Sequence, residues 1–104
     1  MATTSKVLFR GAAATSNTTL YTVPNTSTTT VVTSIAIANT AASTSTATIN
    51  IDGVAIVPTV SLTANSITVI DLKQVIPANA TPKTISGSAG ATTVNFHISG
   101  VEIV

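Results

Sequence analysis

The chain has 104 residues, of which threonine supplies 22, alanine 15, valine 12, and isoleucine and serine 11 each. Only Lys6, Arg10, Lys73 and Lys83 are cationic and only Asp52, Asp71 and Glu102 anionic, for a net charge of +1. The length fits a single domain over residues 1–104, the scattered cations give no electrostatic footprint for nucleic acid or an anionic membrane, and the 29 leucine, isoleucine, valine and phenylalanine residues make the chain too apolar for disorder.

Threonine, valine and isoleucine lose side-chain freedom in a helix and pack well on a pleated sheet, so composition alone predicts an all-β domain. In chain order, Lys6 to Arg10 and Thr19 to Val23 read as two short strands. Thr29 to Asn39 follows, with Val31, Ile35 and Ile37 on one parity and Val32, Ala36 and Ala38 on the other, giving one large-aliphatic face and one small-residue face. Ala47, Ile49 and Ile51 then alternate with Thr46, Thr48 and Asn50, and Val54, Ile56, Val60 and Leu62 resume the alternation beyond Asp52-Gly53. Two alternating runs joined by Asp-Gly predict a hairpin, because a type I′ turn takes positive φ at both central residues. Pro58 cannot donate to a ladder and places an edge strand or a bulge in the second run.

Ser66 to Leu72 is the next strand, introduced by Asn65, and Lys73 to Ile76 reads as one helical turn at most. A loop spans Pro77 to Pro82, a short strand Lys83 to Ser86, and a small-residue turn Gly87 to Gly90. The last strand runs from Thr92 to Val104, with Val94, Phe96 and Ile98 on one parity and Val101 and Ile103 on the other. That switch predicts a bulge at Ser99-Gly100. The Thr/Ser/Ala-rich stretches Asn25–Thr30 and Thr40–Thr46 lie between strands and are short enough to be loops. About eight closely spaced strands form one small antiparallel β-sandwich.

The segment Met1 to Arg10 has one lysine and then only Val7-Leu-Phe9 as an apolar run, far from the roughly 7–15 residues of a secretory leader. The longest strongly apolar run, Val54 to Val57, is also far from the roughly 20 residues of a membrane span. With no cysteine there is neither a disulfide framework nor a thiolate metal site. These features predict a protein that is soluble or part of a soluble assembly.

Catalytic chemistry finds little to work with. His97 is the single histidine, and its same-parity neighbours Asn95 and Ser99 put it on a polar face. General acid–base work needs a partner that orients it, and no local feature brings Asp52, Asp71 or Glu102 there. One histidine and three separated carboxylates have no metal-ligand spacing. Ser86-Gly-Ser-Ala-Gly90 resembles a nucleophile elbow only superficially, no glycine-rich loop opens a helix, and Lys73 and Lys83 read as loop solvation. Asn17-Thr-Thr and Asn25-Thr-Ser match the glycosylation pattern but lack a secretory context. The chain is therefore expected to be no enzyme, with no catalytic, metal or cofactor residue. A thin aliphatic core with few surface charges gains from burying more area between subunits.

The segment Thr18-Thr-Leu-Tyr-Thr-Val-Pro24, followed by Val31-Val-Thr-Ser-Ile35 and Ala38-Asn-Thr40, resembles the opening strands of small structural virion proteins of tailed bacteriophages. The closing Phe96-His-Ile-Ser-Gly-Val-Glu-Ile103 is similar to their terminal strand, and Lys6-Val-Leu-Phe-Arg-Gly11 to the lead-in of members from phages of cyanobacteria and other aquatic hosts. The resemblance implies a small jelly-roll-like sandwich and a non-enzymatic building block in many copies per particle, located in the virion and assembled in the host cytoplasm. It implies one of two roles. A capsid decoration or cement protein sits as a homotrimer on the shell and clamps the major capsid protein. A tail, baseplate or fibre component contacts another virion protein and possesses, in some cases, host-surface binding. One compact domain without shaft repeats or a coiled coil favours the first, and the polar segments Met1–Ser5 and Gly11–Asn17 suit flexible ends that order on a partner. A carbohydrate-binding module ranks last, since Phe9, Tyr21 and Phe96 are the only aromatics. Neither the motifs nor the composition names the contact residues.

Overall fold

Every extended run of β-branched residues becomes a strand in the computed structural model, which describes residues 3–104. In chain order the strands are β1 (Thr3–Ala12), β2 (Thr18–Thr22), β3 (Thr29–Asn39), β4 (Ser45–Ile51), β5 (Val54–Leu62), β6 (Ser66–Ile76), β7 (Thr84–Ala89) and β8 (Val94–Ile103). No helix is present among the described residues. Sheet A has the order β1-β8-β3-β6 and sheet B the order β2-β7-β4-β5, with antiparallel neighbours throughout. The pairs β1–β8, β2–β7, β3–β6 and β4–β5 are nested, as in one long antiparallel strip rolled into two sheets, which is the jelly roll. Its extents are 45 × 22 × 18 Å.

Between the sheets lies a mainly aliphatic core that includes the rings of Phe96 and Tyr21. Phe96, Ile98, Ile35 and Ile37 of sheet A meet Ile49, Val57, Leu62 and Ile85 of sheet B, each at most 1% exposed. The Asp52-Gly53 hairpin has the expected conformation, with φ of 54° and 74° at the two turn residues. Pro58 marks both an edge and a bulge: β5 borders sheet B, its pairing with β4 slips between Ala47 and Ile49, and Thr59 beside the proline has φ of 45°. A second slip, between Ile49 and Asn50, changes which residues of β5 face inward. Val57 is buried, whereas Val54 is 69% exposed and Ile56 36%, so the uninterrupted alternation expected from Val54 to Leu62 does not hold.

The bulge expected at Ser99-Gly100 lies on the neighbouring strands instead. β8 keeps one parity, with Val94, Phe96, Ile98 and Gly100 all buried and Val101 and Ile103 half-buried on the outer side. Leu8 is the extra residue of β1 between Val7 and Phe9, and Thr33 the extra residue of β3 between Val32 and Ser34. Thr33 reverses the parity of β3, so Val32 rather than Val31 joins Ile35 and Ile37 in the core. Gly100 makes this possible by having no side chain: a Cβ there would stand 2.4 Å from the Val31 carbonyl oxygen and 2.8 Å from Leu8 Cδ1. Leu8 fills the space that a side chain at Gly100 would take.

Three other elements differ from expectation. Lys73 to Ile76 continues β6 as a strand and forms no helical turn, because Val75 and Gln74 pair with Val31 and Val32. Gly87 to Ala89 belongs to β7 and not to a turn; β7 packs so close to β4 that a Cβ on Gly87 would stand 2.7 Å from the Thr48 carbonyl oxygen. Thr3, Thr4 and Ser5, expected as a flexible end, pair with Ile103, Glu102 and Val101, while Met1 and Ala2 lie outside the described residues. Within the segment 11–17, Gly11 and Ala12 belong to β1, and the Ala13 amide donates to the Val94 carbonyl at 2.8 Å. The loop after β3 is pinned by Asn39, 2% exposed, whose Nδ2 donates to the Ser43, Leu62 and Thr63 carbonyls and whose Oδ1 accepts from the Ala41 amide.

Candidate functional site

The single histidine does not meet any of the three carboxylates that the sequence offers it. His97 is exposed on the outer face of sheet A, opposite Arg10 on one side and Ala36 on the other, so its cross-strand neighbour is a cation and not an orienting carboxylate. Asp71 lies on β6, opposite Ser34 and two strands away from His97. Asp52 sits in the hairpin turn, where Lys83 approaches its Oδ1 to 3.4 Å. Lys83 thus has a specific partner in addition to solvent, although an exposed pair of this kind contributes little. Ser86 to Ala89 runs along β7 as strand and has no elbow geometry. Asn25, from the glycosylation-like tripeptide, uses Oδ1 to accept from the Ser27 amide and from the Ser27 and Thr28 hydroxyls, which closes the β2–β3 loop. Among the described residues no three of His, Asp and Glu gather into a metal site.

Where polar groups do converge, they tie the sheets together. The Tyr21 side chain on β2, 8% exposed, crosses from sheet B to sheet A, and its hydroxyl donates to Glu102 Oε2 on β8 at 2.5 Å. The same hydroxyl lies 2.8 Å from Thr30 Oγ1 on β3, and Lys6 Nζ on β1 donates to both Glu102 oxygens at 3.3 Å. Four strands meet in one cluster, at a carboxylate whose side chain is 12% exposed. No sequence signal announces it, since Tyr21 and Glu102 stand 81 residues apart. Burial, then the hydrogen bond to Glu102, push the Tyr21 phenol from 10.0 up to about 12; the bond with Thr30 pulls the other way, and the Glu102 charge adds to the rise.

This cluster makes alkaline stability depend on one phenol. A folded-state pKa above the unfolded one means that the neutral phenol's contribution is complete below pH 10.0 and is lost as pH rises through about 12. A shift of that size corresponds to roughly 2–3 kcal/mol. Denaturant titrations at pH 8 to 12 should therefore show a steep loss between about 10 and 12 in the native chain, and Tyr21→Phe should flatten it. The same substitution should cost about 1–3 kcal/mol at neutral pH, because Glu102 and Thr30 lose a buried partner. An unchanged alkaline limb in Tyr21→Phe would contradict this role.

The two outer faces of the sandwich differ. Sheet B presents Thr46, Thr48 and Asn50 of β4 opposite Ser61, Ser88 and Ser86 of its neighbours, with Thr48 and Thr59 hydroxyls 2.9 Å apart. Sheet A presents aliphatic pairs: Ala38 with Ile67, Ala36 with Val69, and Val31 with both Val75 and Val101. Ile67, Val69 and Val75 are 63%, 61% and 60% exposed. At the level of the Leu8 and Thr33 bulges, two open depressions of ≈ 380 and ≈ 430 Å³ meet at Thr33, one reaching Lys6 and the other Asp71 and Lys73. Exposed aliphatics on the outer side of β6 suit packing against a partner, and the hydroxyl row on β4 suits contact with water. The sequence could not assign these faces, because β3 switches parity at Thr33, which nothing marks as an insertion, and β8 keeps one parity where its residues suggest a switch.

No protein-family profile matches the chain. No curated protein matches it either. Among solved structures, a chain of the T13 viral particle of infectious bursal disease virus superposes with a TM-score of 0.54 at 12% identity, over 97% of this chain and 30% of that one. A chain of the Gx strain of the same virus gives 0.48 at 15% identity, over 97% and 32%. Dimeric latent PorU from Porphyromonas gingivalis gives 0.38 at 14%, over 97% and 9%. The chain thus spans about a third of the length of the viral chains that it matches. At these identities the likeness is one of fold.

Proposed function

We propose that the chain is a structural protein of a bacteriophage virion, a decoration or cement protein that sits as a homotrimer on the outer shell and clamps neighbouring major capsid subunits. The observation that carries this reading is an uneven surface: sheet A exposes Ile67, Val69 and Val75 of β6 on its outer face, whereas β4 of sheet B carries the hydroxyls of Thr46 and Thr48 beside Ser61 and Ser88. The fold, which superposes on a chain of a viral particle with a TM-score of 0.54, supports the virion part. The phage part rests on the strand motifs around Tyr21, Ile35 and Gly100. The scarcity of convergent titratable groups supports a packing role over a catalytic one, and the particle would be assembled in the host cytoplasm. Copy number in purified virions is the test. Cement requires an abundance comparable with that of the major capsid protein, whereas a tail, baseplate or fibre component is present in few copies.

A further inference from the structure

Each sheet has two edges, and three of the four are blunted. β5 carries Pro58, two slips of register and the strained Thr59. β2 has only five residues and a slip of its own. β1 carries Lys6 and Arg10 with the Leu8 bulge between them. Proline, bulges, short length and edge cations are the devices that prevent strand pairing. β6 also carries a cation, Lys73, but with the anion Asp71 two residues before it; the strand is 11 residues long, has no proline, and exposes Ile67, Val69 and Val75. Its one irregularity sets Leu72 and Lys73 against Thr33.

We propose that β6 is a pairing edge at which two copies of this chain join antiparallel, across a two-fold axis at Leu72. In an antiparallel strand the groups of alternate residues face the open edge, so only residues of equal parity can pair. Charge then selects the register. With the axis at Leu72, Asp71 stands opposite Lys73 of the second copy, and Val69 opposite Val75, each twice by symmetry. With the axis at Asp71 or at Lys73, a charge faces its own copy; with the axis at Ile70, Asp71 faces Val69 and Lys73 faces Ile67. Opposite charges across a sheet stabilise and like charges destabilise, so only the first register satisfies the charged and the apolar side chains together. The irregularity at Leu72 and Lys73 falls on the axis in both copies, and neither strand meets it against a straight partner. Such a contact joins two copies directly, or two trimers of the proposed assembly; it does not depend on the virion reading.

The absence of cysteine gives a direct test. Val69→Cys and Val75→Cys are prepared separately, checked for folding by circular dichroism, and oxidised mildly alone and mixed. Directly opposite residues lie within disulfide range, whereas positions six residues out of register are about 20 Å apart. The mixture should give at least about tenfold more disulfide-linked dimer than either variant alone, with a peptide joining positions 69 and 75. As a second measurement, Asp71→Lys or Lys73→Asp alone should weaken association about tenfold and the double swap should restore it. No dimer from the mixture, equal dimer from Val69→Cys alone, or a double swap as weak as the singles would each overturn the pairing, and none of these results alters the copy number that tests the virion role.

Discussion

Truncating Phe96 to alanine should lower the unfolding free energy by about 3–5 kcal/mol, a large part of the roughly 5–15 kcal/mol typical of a whole domain. Phe96 is the largest fully buried side chain among the described residues. It sits on β8, the strand held between β1 and β3, and its ring belongs to the same core cluster as Ile49 and Ile85 of sheet B. The surrounding side chains are short aliphatics on hydrogen-bonded strands, which limits how far they can collapse into the space left behind. Chemical denaturation followed by far-ultraviolet circular dichroism measures the loss. A cost under about 1 kcal/mol would mean that the core is not organised around this ring.

Gly100→Ala should be the second severe substitution even though it adds a single methyl group. The added carbon would lie 2.4 Å from the Val31 carbonyl oxygen, and that atom is held in the β3–β8 pairing. Leu8 could swing aside, but the backbone of β3 cannot do so without opening the ladder. Overpacking of this kind costs about 1–3 kcal/mol, or a fall of about 4–8 °C in Tm for each kcal/mol in a domain of this size. Gly11→Ala is the control. Its nearest contact would be the Phe9 ring at 3.5 Å, an ordinary separation, and its melting temperature should stay unchanged or rise slightly. Equal effects at the two positions would refute the close-packing account of Gly100.

The contrast between these residues also explains what the sequence reveals. Strand identity is local: β3 and β5 have the predicted limits, the Asp52-Gly53 turn declares itself, and Pro58 announces its edge and its bulge. Which side of a strand faces inward is less local. Ser99-Gly100 carries the signature of a bulge, yet the inserted residues are Leu8 and Thr33 on the strands beside it. A threonine between Val32 and Ser34 has no property that marks it as an insertion, so Val31 and Val101 look like core and lie outside. The Tyr21–Glu102 tie is less visible still, since it depends on the roll that brings β2 and β8 together. For the candidate surface, composition supplies aliphatics and few charges, and only the register sets Ile67, Val69 and Val75 together on the outer side of β6.

In the proposed role, the chain serves as a packing unit of a virus particle and not as a catalyst. Quantitative gel densitometry of purified virions of the proposed source phage tests this most directly, by the ratio of the chain to the major capsid protein. A ratio near that of an abundant shell component, with the chain retained through gradient purification, is the predicted result. Its absence from purified virions would contradict the claim, and a handful of copies per particle would place the chain in the tail and contradict the cement role.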